Sequence, residues 1–420
     1  MHVLRLLLQS AAFLIFGRCS RILRVGPGRM MTSRERLMRT LRGEPVDRPA
    51  VNFYEIGGFT IDASDPDGFN VYNDPSWQPL LQLAEEHTDL IRMRSPVRPR
   101  SHKIEISLGK TDVTNYRDEF FKTERYMEDG SQFKRVTLKI GGRTMTSLTR
   151  RDPQIDTTWA IEHLLKSVDD LKAYLELPDE VFVEQLNITD MIEEDKRIGE
   201  RGIVMVDTED PICTAAYLFS MEDFTVIALT EQKLFHRLLE KISSHIYKRT
   251  EDTAKGYPGH LWRIYGPEYA TEPYLPPYLF REYVVRYTKP MVDIIQKYGG
   301  FARIHCHGRT RAVLDYIIEM GAAAIDPIEP PPHGDVELEY VRREYGDKLI
   351  LFGNLEVADI ENMEPAEYEK VVEKTLEDGT SGHGKGFVLM PSSAPNGRKI
   401  SQRMMANYET MVRLAQDFKL

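Results

Sequence analysis

Short apolar runs of strand length alternate with longer stretches of helical periodicity from about residue 50 to the end of the chain. The runs are Ala50 to Glu55, Leu90 to Arg94, Ile203 to Asp207, Leu261 to Gly266, Phe301 to His307, Ala323 to Pro327, Leu349 to Gly353 and Gly386 to Met390. Helical patterns occupy Thr230 to Ala254, Pro277 to Tyr298, Arg309 to Glu319, Val336 to Tyr345, Pro365 to Asp378 and Ser401 to Phe418. Strands alternating with helices predict βαβ units and a parallel sheet. Eight such units predict a (β/α)8 TIM barrel, a fold of about 250 residues before insertions. The alternative is a doubly wound open sheet. No GxGxxG follows any of the runs, which counts against it.

Two segments stand outside this alternation. Thr32-Ser33-Arg34-Glu35 has the spacing of a capping box, and predicts a short helix to about Arg42 that Gly43 and Pro45 stop. Between the second and third runs, residues Thr111 to Trp159 are rich in Thr, Lys, Arg and aromatics. Within it, Val136 to Thr146 reads as a hairpin around a Gly141-Gly142 turn. The expectation is a β insertion between barrel units 2 and 3, lying over the top of the barrel.

Composition narrows the class. The chain has 420 residues, 41% hydrophobic and 29% charged, as a soluble globular protein has. A net charge of −10 is the wrong sign for a nucleic-acid surface. Three cysteines, Cys19, Cys213 and Cys306, make neither a disulfide framework nor a CxxC pair, so a reducing, cytoplasmic setting is expected. The first 34 residues hold no acid and six arginines, which leaves −16 for the rest. Their apolar run, Leu6 to Phe16, falls short of the about 20 residues that span a bilayer, so no membrane span is expected. Residues 1–30 are therefore set apart as an N-terminal extension. The preferred reading is an upstream start codon, with translation beginning at Met30 or Met31; a signal-peptide core and an organellar presequence are the other readings. Residues 31–420 are assigned to the barrel.

A barrel of this kind carries its chemistry at the C-terminal ends of its strands. The fifth run ends Ile304-His305-Cys306-His307-Gly308. In extended backbone, residues i and i+2 share a face, so His305 and His307 point together and Cys306 points away. Neighbouring ends offer Asp207, Glu268, Asp326 and Glu329, with Asn354, Ser392 and Ser393 further round the rim. Imidazoles with carboxylates form the ligand set of zinc or another divalent metal, and equally the set for general acid–base work. His305, His307 and Glu329 are the candidate metal ligands. Glu268, Asp326 and Asp207 are the candidate catalytic carboxylates. The competing role for Asp207, Asn354 and Ser393 is that of helix N-cap. His333, after a proline run near the same rim, is the one further histidine candidate. The chain contains no GKS/T phosphate loop, GxSxG elbow or HExxH helix.

Several segments carry a family likeness. They are Ser33-Arg34-Glu35-Arg36-Leu37 to Arg48-Pro49, Ile304 to Gly308, Gly321 to Asp326, Leu351-Phe352-Gly353-Asn354-Leu355, and Ser401 to Met411 with its Ala406-Asn407-Tyr408. On these, residues from about Met31 to Leu420 resemble the uroporphyrinogen decarboxylase superfamily, a (β/α)8 barrel fold. The resemblance is closer to its zinc-dependent methyltransferase branch. The decarboxylase has an Arg-Gln-Ala-Gly-Arg segment after its first strand, where this chain reads Tyr54-Glu55-Ile56-Gly57-Gly58. The decarboxylase's Asp after strand 2 is replaced by Arg94-Ser95-Pro96.

The methyltransferase branch holds zinc with a His-x-Cys-Gly motif and a later Cys on strand 8. His305 matches the histidine, His307 stands in place of the first cysteine, and Ser392 or Ser393 stands near the second. The resemblance thus implies a divalent metal, most simply zinc, in a site lacking both thiolates, with Glu329 or Glu268 replacing the lost charge. It also implies a small-molecule substrate, a corrinoid carried on a partner protein, since the chain has no Asp-x-His-x-x-Gly cobalamin segment, and a homodimer. Asn354, Ser392 and Ser393 are the positions expected to face the cofactor. Decarboxylation of a porphyrinogen or smaller acid is the alternative activity. A non-catalytic barrel that binds a corrinoid or metal is the third reading.

Overall fold

The structure, a computed structural model, describes residues 31–98 and 113–420. The N-terminal extension and its readings lie outside the described residues. Twelve strands are present among them: β1 Ala50–Val51, β2 Leu90–Arg94, β3 Phe121–Glu128, β4 Ser131–Ile140, β5 Arg143–Arg151, β6 Thr158–Glu162, β7 Gly202–Glu209, β8 Leu261–Tyr265, β9 Phe301–His305, β10 Ala324–Asp326, β11 Ile350–Leu355 and β12 Phe387–Pro391. Eight form a parallel sheet in the order β1-β12-β11-β10-β9-β8-β7-β2. The ends meet: the Asp89 amide donates to the Val51 carbonyl at 2.7 Å, and Asn52 Nδ2 donates to the Asp89 carbonyl at 3.0 Å. This sequential order is that of a (β/α)8 barrel and excludes the doubly wound sheet.

Each barrel strand is largely buried on both faces, because one faces the helices and the other faces the barrel axis. Val204 and Val206 of β7, Ile264 of β8, Ala302 and Ile304 of β9 and Leu351 of β11 pack into the outer layer with the helices. Ile203 and Met205 of β7, Ile350 and Phe352 of β11 and Val388 and Met390 of β12 fill the interior. Leu37 and Leu41, from the helix Ser33–Arg42, join that interior cluster and close its lower end. Thr32 caps this helix by accepting from the Glu35 amide at 3.1 Å, and Gly43 ends it. The Glu35 carboxylate turns to Arg39 at 3.3 Å.

The insertion is an antiparallel sheet in the order β3-β4-β5-β6, between β2 and β7 in the chain. Ile140 pairs with Arg143 across Gly141 (φ 55°) and Gly142 (φ 73°). Positive φ at both central residues is the conformation of the tight hairpin turn, and glycine adopts it without a Cβ clash. The segment after this sheet's hairpin touches loops at the C-terminal ends of the barrel strands. Tyr72 donates to Asp156 at 2.9 Å, and Arg398 donates to the Pro153 carbonyl at 2.7 Å. No helix among the described residues is long and apolar enough to cross a membrane.

Candidate active site

On β9, Arg303 and His305 share the inward face, and the chain then leaves the strand through Cys306 and His307. Cys306 is buried in the outer apolar layer. The two imidazoles meet edge to face, with ring centroids 4.5 Å apart. Each rests on a carboxylate from the next unit. Asp326, at the end of β10, takes His305 Nδ1 at 2.7 Å. Glu329, three residues on, takes His307 Nδ1 at 2.8 Å and the Gly308 amide at 2.6 Å.

The environments of the two rings differ. His305 is 5% exposed, and burial pushes its imidazole down to about 3 despite Asp326. Its Nδ1 donates to Asp326, leaving the Nε2 lone pair 3.5 Å from the Tyr54 hydroxyl. His307 is more open. Burial acts downward on it, but Glu329, with Glu268 and Asp326 adding their fields, outweighs burial and raises it. The Glu329 carboxyl is correspondingly lowered: burial raises it, and the bond from His307 more than reverses that. Two adjacent imidazoles are therefore driven in opposite directions, His305 down by burial and His307 up by Glu329. Neighbouring titratable groups whose pKa values are pushed apart mark acid and base roles.

Below them lies a buried charge network. Asp326, fully buried, pairs through its second oxygen with Arg303 Nε at 3.0 Å. Burial alone would raise this carboxyl, yet Arg303 and His305 bring it to about 2. Arg303 also lies over the Phe352 ring, 4.7 Å from its centroid. Asp207, on β7, pairs with Arg263 Nε of β8 at 2.6 Å. Arg263 in turn donates to the Tyr54 hydroxyl, so a polar chain runs from Asp207 through Arg263 and Tyr54 to His305 and Asp326. Burial draws the Asp207 carboxyl upward.

The other sequence-derived positions fall as follows. Glu268 accepts the Gly266 amide at 3.1 Å, and burial raises its carboxyl, with His307 acting against that. Glu55 is raised by burial in the same way, again opposed by His307. Asn354 donates to the Ile328 carbonyl at 3.2 Å and so fastens the loop that carries Glu329. Ser392 donates to Glu356 and accepts the Val357 amide, both at 3.2 Å. Ser393 bonds only locally, to the Ala394 carbonyl at 3.0 Å. Neither Asp207, Asn354 nor Ser393 caps a helix; Asp210 caps Pro211–Ala216, and Ser401 caps Gln402–Asp417. His333 Nδ1 lies 3.2 Å from Glu356.

The expected metal set of His305, His307 and Glu329 does not assemble. Both Glu329 oxygens are taken, by His307 and by Gly308. Among the described residues no group of three or more His, Cys, Asp or Glu is placed to hold a metal ion. The donor set is two imidazole Nε2 atoms, one already beside Tyr54, and that falls short of the three protein ligands of a catalytic zinc.

Tyr54, Arg263, Arg303 and Glu356 were not singled out from sequence as site residues. The signal for the arginines was available: a cation in the middle of an otherwise apolar strand, as in Leu261-Trp262-Arg263-Ile264-Tyr265, must find a buried partner. For Tyr54 no pattern in the chain predicted its reach across the barrel.

A closed parallel barrel with imidazoles, carboxylates and arginines gathered at one end is the architecture of a barrel-type enzyme. This chain belongs to the uroporphyrinogen decarboxylase (URO-D) family, whose sequence model matches residues 156–395. Among solved structures it is similar to a methyltransferase from Methanosarcina mazei, at 15% identity and a TM-score of 0.55 over 92% of this chain and 99% of that one. This likeness is one of fold. A second structure, the IOLI protein with a binding zinc atom, matches at 11% identity and a TM-score of 0.31 over 55% of this chain and 95% of that one, too low to support fold or site. No curated protein matches the chain.

Proposed function

We propose that this protein is an enzyme of the methyltransferase-like branch of its family, acting on a small molecule at the barrel mouth. The observation that carries the reading is the pair of adjacent imidazoles, each held by its own carboxylate and driven in opposite directions. His307, raised by Glu329 and held by it through Nδ1, offers Nε2–H as a donor. It is the general acid that protonates the leaving group, a role worth about 10²–10⁴ in rate. His305, lowered by burial and oriented by Asp326, offers its Nε2 lone pair, together with the Tyr54 hydroxyl, as the acceptor that positions the substrate. In the overall exchange the methyl group passes from a substrate heteroatom Y to the reduced corrinoid: the bond from methyl to Y breaks and one from methyl to the corrinoid forms. The electron pair of the broken bond leaves with Y, and His307 supplies the proton that Y takes up. The co-substrate of this reading is a reduced Co(I) corrinoid on a partner protein. No step is assigned to a metal, because the donor set does not fit one.

The Tyr54 to Gly58 segment, without arginine, favours this over a polycarboxylate substrate. So do Arg263 and Arg303, each already paired with an aspartate. Decarboxylation remains the second reading on the strength of the family match, and carbon dioxide release from uroporphyrinogen is its direct assay.

The test is methylation of cob(I)alamin, followed by its visible absorbance, with a panel of methyl thioether, methylamine and methyl ether donors. His307→Ala should lower the rate at least 100-fold with an unchanged circular dichroism spectrum. Equal rates in the variant and the wild type would remove the proposed acid.

A further inference from the structure

Glu356 stands at the C-terminal end of β11, buried to 7% exposure, between the unit that carries Glu329 and the one that carries Ser392. Its Oε2 is satisfied by His333 and Ser392, each at 3.2 Å. Its Oε1 is buried and accepts no hydrogen bond from any described protein group. Buried acceptors are nearly always paired, so such an atom asks for a donor from outside the chain. The surroundings say what kind. Glu329, Glu268 and Glu55 all act on the one His307 imidazole, and Glu356 adds its own field to Glu329. The arginines of the mouth are already committed to Asp207 and Asp326. Among the described residues, carboxyl groups therefore outnumber free cationic side chains around His307.

We infer that this mouth binds the N–H of a protonated amine, with Glu356 Oε1 as its acceptor, so that the small-molecule substrate is an amine-bearing one. The inference rests on the functional reading above and adds the substrate class. Two features act together: the acid-rich surroundings favour a cation, and the orphaned oxygen selects one that still carries a hydrogen. A quaternary ammonium meets the first requirement and fails the second. A carboxylate fails both. Burial, and then Glu329, push the Glu356 carboxyl upward, and a cation beside it acts in the opposite sense.

The test is equilibrium binding to the full-length protein by calorimetry, at matched ionic strength, with three probes: ethylammonium chloride, tetramethylammonium chloride and sodium acetate. Ethylammonium should bind the wild type, and at least tenfold more weakly to Glu356→Gln. Glu356→Asp, which keeps the charge and shortens the reach, should also weaken it and serves where the amide variant does not fold. Tetramethylammonium and acetate should not bind measurably. Ethylammonium binding that is absent in the wild type, unchanged in both variants, or matched by tetramethylammonium would overturn the assignment. Such a failure leaves the His307 dependence of methyl transfer standing. Loss of that dependence with amine binding intact would remove the function alone.

Discussion

Replacing Asp326 by asparagine isolates the ionic link beneath the two histidines. The carboxylate is fully buried and lies 3.0 Å from Arg303 Nε and 2.7 Å from His305 Nδ1. Asp326→Asn keeps the volume and removes the charge, leaving the Arg303 guanidinium, 1% exposed, as an uncompensated buried cation. Breaking a buried pair in this way costs about 3–5 kcal/mol. The weakened bond to His305 draws on the same carboxylate, so its about 1.5–3 kcal/mol overlaps rather than adds. Against a total stability of about 5–15 kcal/mol, the loss is large. The assay is urea unfolding followed by circular dichroism, read at constant m. Arg303→Met removes the other partner and should cost a similar amount. In the double variant neither charge remains, and Met is an apolar neighbour for Phe352, so the double should cost at least about 2 kcal/mol less than the sum of the singles. Single variants that each cost under about 1 kcal/mol, or costs that simply add, would show that Asp326 and Arg303 do not depend on one another.

The acid limb of stability has a definite sign. His305 titrates at about 3 in the folded chain against an ordinary 6.5, so below pH 6.5 the unfolded chain takes up a proton the folded one refuses, and stability falls from there towards pH 3. At 1.36 kcal/mol per unit the upper bound is about 4–5 kcal/mol; a His305→Asn variant should show a flatter fall between pH 6.5 and 4 in urea midpoints, and a parallel curve would contradict the buried neutral ring. Asp326, lowered to about 2, acts in a separate window: its contribution is present above about pH 4 and disappears only as pH falls through 2. Gly266→Ala should cost about 3 kcal/mol or more, since φ is +116° and the new Cβ would sit 2.1 Å from the Cys213 Cβ; a thermal midpoint within 1 °C of wild type would be inconsistent with that crowding. Purified protein should retain less than one zinc per chain after dialysis, and one equivalent in the wild type that vanishes in His305→Ala with His307→Ala would show that the donor-set argument is wrong.

The order of elements was legible because a parallel barrel buries both faces of every strand. That leaves eight apolar runs separated by helical patterns, a signal local enough to read along the chain. The Gly141-Gly142 hairpin and the Thr32 cap were legible for the same reason: turns and caps depend on a few adjacent residues. The approach of His305 to His307 followed from their i, i+2 spacing, although β9 ends at His305 and His307 lies just beyond it, and the approach of Asp326 and Glu329 followed from the order of the units. What tertiary structure alone decided was which atom of each group is engaged. A ligand set for metal and a pair of carboxylate-held imidazoles have the same composition; they differ in whether Glu329 is open or spent on His307 and Gly308. Protonation, likewise, depends on burial and on charges from distant strands. His305 and His307 are two residues apart in the chain, yet one is driven down by desolvation and the other up by Glu329, because the barrel wall encloses the first and the mouth opens beside the second.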